Sequence, residues 1–288
     1  MRKIGRNKRK KQKKMVIILS LSLLMILTVG YAAFSSNLTI NSKGNIMTFT
    51  INDYVKDNLF AFYDGIENTP SGHGTPTDTW YNKALDLSPT TATPIQNTLN
   101  NFIISSWTND NGLSFNGVDN IVNTGYNQDV FGQKFTFSFV INITAGNAYR
   151  GLYGYHIGME GEDPFYGLSM QMNGDKADFF YHGTSYIPTF VPVSLDKILN
   201  KKQQYTVVYQ GGVGIKLYIN GEFIGEALDN SYIIPYPEEN FVIGQSHPLP
   251  ERYFQGIIYN FIIYKKVLTE EEIRQNYKID RYRYQLYA

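Results

Sequence analysis

The sequence predicts an all-β protein: a two-sheet antiparallel sandwich of jelly-roll type, with a short C-terminal helix and an apolar N-terminal helix. Three stretches carry this prediction. Phe135, Phe137, Phe139, Ile141 and Ile143 alternate with Thr136, Ser138, Val140 and Asn142, the period of a strand with one apolar and one wet side. Asn173-Gly174 and Asn220-Gly221 each interrupt apolar alternations, as two-residue hairpin loops do. Gly256 to Tyr264 is almost unbroken apolar and aromatic sequence, expected of a strand covered on both faces, after which the period becomes helical.

In chain order, residues 1–14 hold nine of the 26 Lys and Arg and no acid. They precede the apolar run MVIILSLSLLMILTV and the small-residue boundary GYAAFSSN, so residues 1–34 read as a secretory signal or membrane anchor. Cleavage near Ala32 fits the small-x-small rule, and Ala33-Phe34-Ser35 offers another boundary. Left uncut, Met15 to Phe34 is 20 residues, about 30 Å as a helix, enough to span a bilayer with its basic end inside. Residues 35–57 read as a linker in which Ile46–Ile51 alternates like an edge strand. Residues 58–288 form the predicted sandwich with its C-terminal helix and tail. Beyond residue 14, 17 basic residues face 25 acidic ones, a net of −8 that argues against nucleic-acid binding. With no cysteine in the chain, an exported body must be held by its core alone.

Within that body, Leu59 to Tyr63 opens the first strand and Asp64-Gly65 turns it; residues 66–106 form a long irregular stretch around Trp80 and Tyr81. Tyr149–Met159 is a Tyr- and Gly-rich strand. Leu168, Met170 and Met172 then alternate up to Asn173-Gly174, and that loop sets Met170 opposite Ala177 and Leu168 opposite Phe179. Tyr205–Tyr209 is a further strand. The next hairpin, Ile215–Ala227, sets Leu217 opposite Ile224 and Tyr218 opposite Phe223. The Gly211-Gly212-Val213-Gly214 run falls between strands and reads as a turn, not a phosphate cradle. Thr269 and Glu272 form a capping box, Leu268 and Ile273 a hydrophobic staple, and Ile273 and Tyr277 share a face, giving a two-turn helix. The tail YKIDRYRYQLYA is expected to pack against the sandwich edge.

Gly256, Ile257, Tyr264, Leu268, Thr269, Glu270, Glu271, Glu272 and Ile273 resemble the closing strand and helix of bacterial laminin-G-like domains with the concanavalin A-like lectin fold. Phe62, Tyr63, Asp64, Gly65 and Trp80 fit an earlier signature of that family, and Gly112 to Gly125 fits its Phe-x-Gly-x-Asp strand. The resemblance covers roughly Asn58 to Asp280; Tyr259 and Asn260 stand where an acidic pair is usual. GYAAFSS with the following NLTI resembles the leader region of camelysin-like biofilm-fibre precursors, implying export to the surface of a Gram-positive bacterium. The resemblance further implies sugar binding with calcium nearby: Asp119 is the first candidate metal contact and Asp64 the second. For stacking on sugar, Tyr153, Tyr155, Tyr166 and Tyr181 are the candidates.

Catalytic patterns are sparse. The sequence has no G-x-S-x-G elbow, H-E-x-x-H, P-loop or EF-hand pattern, and its four histidines, His73, His156, His182 and His247, lie far apart. Some glucanases share this fold, so glycoside hydrolysis is the enzyme class to test. Glu160 and Glu162, two apart, share a strand face, yet Gly161-Glu162-Asp163-Pro164 reads as a turn. The chain therefore reads as non-enzymatic. Two functions fit it. The first is an exported or cell-surface module that binds polysaccharide, glycoprotein or extracellular matrix, meeting membrane only through residues 15–34. The second is a structural surface or biofilm component without a specific glycan.

Overall fold

In this computed structural model, Met15 and residues 48–286 are described, except positions 94, 96, 147–148, 158–165, 183–188, 233–239 and 247–251. The signal or anchor segment (Met15 apart) and the Glu160/Glu162 pair therefore lie outside the described residues. Among those described, no helix is long and apolar enough to cross a membrane.

Fourteen strands build two sheets within the unit Phe49–Ala288. They are β1 (Leu59–Asp64), β2 (Thr98–Asn100), β3 (Leu113–Asn116), β4 (Ile121–Asn127), β5 (Lys134–Ile143), β6 (Gly151–Ile157) and β7 (Tyr166–Asn173). Then follow β8 (Lys176–His182), β9 (Thr189–Ser194), β10 (Lys202–Gln210), β11 (Gly214–Ile219), β12 (Glu222–Leu228), β13 (Asn240–Ile243) and β14 (Gln255–Tyr264). The first sheet runs β1–β14–β5–β10–β11–β12, with β3 also paired to β14; the second runs β2–β4–β13–β6–β7–β8–β9. Among the described residues every strand pair is antiparallel, as the jelly-roll reading requires. Within this unit the described α-helices are the short α1 (Ala84–Leu87) and α2 (Glu270–Arg283).

The apolar row of β5 is the centre of the core. Phe135, Phe137 and Phe139 are 2 %, 1 % and 0 % exposed and face the second sheet. Phe137 lies 5.3 Å from Phe241 on β13 and 5.7 Å from Phe261 on β14, while Phe139 stacks on Phe261 at 5.3 Å. Each such ring taken out of water contributes about 1.5–3 kcal/mol before any edge-to-face gain.

The opposite face of β5 departs from expectation. Thr136, Ser138 and Val140 are fully buried, although the alternation predicts a wet side. α2 and the loop before it cover them: Thr136 Oγ1 donates to Lys266 O and accepts from Leu268 N, and Ser138, Thr206 and Gln204 bond to one another. Polar residues here are satisfied by a covering layer, which alternation alone cannot distinguish from water.

Both hairpins form, the first with a shifted loop and the second with the expected loop and a bulge. At the first, Asn173 pairs with Lys176, so Gly174-Asp175 are the loop, Met170 faces Phe179 and Leu168 faces Tyr181. The slip is two residues, so every side chain keeps its predicted face. At the second, Tyr218 faces Phe223 as expected, but a bulge leaves Leu217 opposite Gly225 and displaces Ile224. Asn220 and Gly221 have φ of +53° and +74°, the left-handed pair that a two-residue turn demands.

The capping box at Thr269 and Glu272 is present, but α2 has 14 residues where the sequence suggests two turns. Most of the tail is helix because Asn276 and Asp280, polar yet fully buried, continue the inward face. Upstream, Ile51–Asp53 form a 3-10 helix capped by Thr50 where the alternation suggests an edge strand.

Candidate functional site

Two polar clusters lie under and beside the C-terminal helix, and a third group of side chains lies on the outer face of the other sheet. The first cluster holds Asp64. Its carboxylate is 0 % exposed and accepts from Arg283 Nη2 at 2.7 Å, from Glu67 N at 3.1 Å and from the Tyr284 hydroxyl. Trp80, named by the sequence pattern, donates Nε1 to the Asp64 carbonyl at 2.9 Å. This corrects the metal role expected of Asp64: its oxygens fasten the end of α2 to β1. Beside it Asp280 accepts from Tyr54 Oη at 2.6 Å and Asn260 Nδ2 at 2.7 Å. Burial pushes its carboxyl up to about 7, against those hydrogen bonds and the charge of Arg283.

Tyr259 and Asn260, which replace the acidic pair, have structural employment. A bulge in β14 lets Asn260 Oδ1 accept from Val140 N at 2.7 Å. Tyr259 donates to Asp110 Oδ2 at 2.8 Å, and Lys202 Nζ sits 3.7 Å from its ring centroid and 3.2 Å from Asp110. Burial raises Asp110, but hydrogen bonds from Thr108 and Tyr259 and the charge of Lys202 hold it below the usual carboxylate range.

Asp119 lies in the turn between β3 and β4, made by Gly117 at φ +72°. Its Oδ1 accepts from Asn116 Nδ2 at 2.7 Å and its carbonyl from Asn101 Nδ2 at 3.0 Å. Among the described residues no three His, Cys, Asp or Glu groups converge to hold a metal. Asp119 thus belongs to no such group of three among the described residues.

The tyrosine candidates separate. Tyr153 is 1 % exposed and packs on Phe137 and Phe139 in the core, which corrects its stacking role. Tyr155 and Tyr181 both pair in register with Leu168, and Tyr166 with Ile157, but their side chains lie outside the described residues.

Rings and polar groups do converge on the outer face of the second sheet. On β7, Met170 and Met172 point inward, so Ser169 and Gln171 point out. On β6, Gly151 and Gly154 stand at outward positions. A Cβ on Gly154 would lie 2.1 Å from the Ser246 carbonyl oxygen, and one on Gly151 2.0 Å from Ser246 Cβ. Their bareness lets Ser246, between β13 and β14, approach the sheet closely, with Gly244 N bonded to Leu152 O and Phe254 N to Gly244 O. The same connection delivers Arg252, whose Nη1 donates to Gln171 Oε1 at 3.3 Å and whose Cζ lies 4.2 Å from the Tyr149 ring centroid. Tyr149 is 39 % exposed, and Phe190, on β9, is 48 % exposed. Asn173 and Asp178, bonded at 2.9 Å, extend the polar rim.

The sequence pattern missed Tyr149, Gln171 and Arg252, since no local spacing links positions 81 and 103 residues apart. A separate cavity of about 250 Å³ lies on the outer face of the first sheet, between β10–β12 and the start of α2, lined by Val208, Lys216, Tyr218, Glu226, Leu228 and Thr269 among others.

A laminin-G-like family model, described as the concanavalin A-like lectin/glucanases superfamily, matches residues 115–274. No curated protein matches. Among solved structures, the receptor-binding domain of botulinum neurotoxin mosaic serotype C/D is similar at TM-score 0.53 and 16 % identity, covering 80 % of this chain and 51 % of that one. The serotype D binding domain is similar at 0.53 and 16 %, covering 78 % and 51 %. A mutant Trypanosoma rangeli sialidase displaying trans-sialidase activity is similar at 0.54 and 17 %, covering 79 % and 33 %. The chain thus spans about half of the length of the first two structures and a third of the last, and at such identity the likeness is one of fold.

Proposed function

The chain belongs to the concanavalin A-like lectin/glucanases superfamily, and on that premise we propose that it is a carbohydrate- or matrix-binding module working by non-covalent recognition. One observation carries the reading. On the outer face of the second sheet the half-exposed ring of Tyr149 carries a guanidinium that an amide holds in place, and a second exposed ring, Phe190, stands on β9 of the same sheet. Sugar recognition uses this chemistry: flat apolar faces for the C–H side of a pyranose, and oriented donors and acceptors for its hydroxyls. In this reading the basic, then apolar residues 1–34 export the module, so that it works at the outer cell surface. No step is routed through calcium.

A glycan array on the full chain tests the proposal, with and without chelator. Saturable binding to a defined sugar class, weakened at least tenfold by Tyr149→Ala or Phe190→Ala, is the expected result; uniformly blank arrays sink it. Hydrolysis of a polysaccharide, lost on Glu160→Gln or Glu162→Gln, would replace recognition by catalysis.

A second reading has its own support. Phe223, Ile224 and Leu228 are 51 %, 46 % and 73 % exposed along β12, an edge of the first sheet. Exposed apolar edges favour association, as a structural surface component requires. Concentration-dependent assembly together with a blank array would select that role.

A further inference from the structure

Among the described residues of that face, Arg252 is the charged group left chemically unfinished. Its side chain is half-buried, and its guanidinium makes a single long hydrogen bond, to Gln171. Its Nε is buried without an acceptor, and among the described residues no carboxylate pairs with it. Arg283 shows what the fold does with an arginine it uses structurally: two carboxylates, Asp64 at 2.7 Å and Glu67 at 3.4 Å, meet it. A guanidinium drawn out of water without a counter-charge is unfavourable, and its planar fork suits carboxylate or sulfate.

The ring beneath it is held in place by an unusual backbone. Tyr149 has φ +65°, uncommon for a bulky residue. It is fixed there by Tyr149 N to Met172 O at 2.9 Å and Ser246 Oγ to Tyr149 O at 3.3 Å. Such conformations persist where the surroundings over-determine them, often at ligand sites. Here the result is a guanidinium stacked on an aromatic face, with its stem ordered before any ligand arrives.

We infer that Arg252, Tyr149 and Gln171 form an anion-recognising subsite, and that the carbohydrate taken by this face is an acidic polysaccharide bearing carboxylate or sulfate groups. The inference rests on the carbohydrate-binding reading of the same face. The rest of the body does not favour polyanions, since 17 basic residues meet 25 acidic ones beyond residue 14. Recognition of an acidic chain by the body therefore depends on a local cation. Arg252 supplies the charge, Tyr149 the apolar floor, and Gln171 holds the guanidinium in register.

The test titrates the full chain with matched polymers: dextran sulfate against dextran, and polygalacturonate against its methyl ester. Wild type is expected to bind one acidic member at least tenfold more tightly than its neutral partner. Arg252→Gln is expected to lose at least tenfold of that binding at an unchanged thermal midpoint, and Arg252→Lys an intermediate amount. Lys278→Gln, which removes an exposed charge on α2, is expected to change nothing. Gln171→Ala serves as an independent variant if Arg252→Gln fails to fold, with a several-fold loss expected. Equal polyanion binding by wild type and Arg252→Gln would overturn the inference, because the basic residues 1–14 would then be the binder. Neutral polymers bound through Tyr149 and Phe190 without help from Arg252 would leave the carbohydrate reading standing and end this one. Binding to no polymer would end both.

Discussion

Replacing Asp280 by Asn should remove a pH-dependent loss of stability. The carboxylate sits on the inward side of α2, 0 % exposed. Oδ1 accepts from Tyr54 and Asn260, but Oδ2 is buried without a partner. Arg283 is occupied by Asp64 and Glu67, so its charge reaches Asp280 only from a distance. Burial therefore raises the carboxyl from its ordinary 3.8 to about 7. Because the folded pKa lies above the unfolded one, the stabilising contribution is complete below pH 4 and is lost as pH rises through 7. At 1.36 kcal/mol per unit, a rise of about three units amounts to about 4 kcal/mol. Asn is neutral at every pH and keeps the acceptor for Tyr54 and Asn260, but leaves a buried NH₂ unpaired at a cost of about 1–3 kcal/mol. Urea unfolding of both proteins from pH 4 to 8 reads the balance. The variant should be the less stable at pH 4, and its stability relative to wild type should rise by about 4 kcal/mol by pH 8. Taking the difference cancels every other titrating group common to the two. A difference that stays flat, or one that shifts further in favour of wild type as pH rises, would refute the reasoning.

Three further perturbations separate the parts of the fold. Arg283→Met leaves the Asp64 carboxylate buried with only Tyr284 and the Glu67 amide, and should cost about 3–5 kcal/mol in urea unfolding; adding Asp64→Leu should recover much of it. Phe137→Ala empties the position where Phe131, Tyr153, Phe241 and Phe261 meet, and should cost about 3–5 kcal/mol with an unchanged urea slope. Gly154→Ala drives a methyl into the Ser246 backbone and should lift the segment carrying Arg252. Hydrogen exchange should then speed up at residues 244–254 while β5 and β10 stay protected, and glycan binding should weaken.

The fold was legible where one residue type has one use. Alternating Phe on β5, the Asn220-Gly221 turn and the Thr269 capping box all stand where the sequence indicates. The extent of α2 was not, because Asn276 and Asp280 break the apolar stripe while facing inward. Asp64 read as a metal contact because a buried carboxylate and a calcium ligand have the same sequence appearance; only Arg283, 219 residues away, tells them apart. Tyr153 read as a sugar platform for the parallel reason that a core tyrosine needs no local mark. The Arg252 subsite left no trace at all, since its three members come from a loop, a strand and an inter-sheet connection.

What decides where a ligand can bind is the different treatment of the two outer faces. On the first sheet, α2 and residues 49–55 bury Thr136, Ser138, Tyr264 and Ile262 under a second apolar cluster. Asp64, Asn260, Asn276 and Asp280 anchor that cover through buried bonds, and breaking any of them exposes a charge or an orphaned amide. Most of this face is thus committed to holding the chain's ends. The second sheet has glycines at outward positions 151 and 154 of β6, and among the described residues Ser246 lies over them, with the exposed ring of Tyr149 against Arg252 nearby. Gly-to-Ala changes there act on the segment carrying Arg252 and spare the core, whereas any change under α2 acts on stability first. Recognition can therefore vary on the second face at little cost to the fold, which is where the exposed rings and the unpaired guanidinium are found.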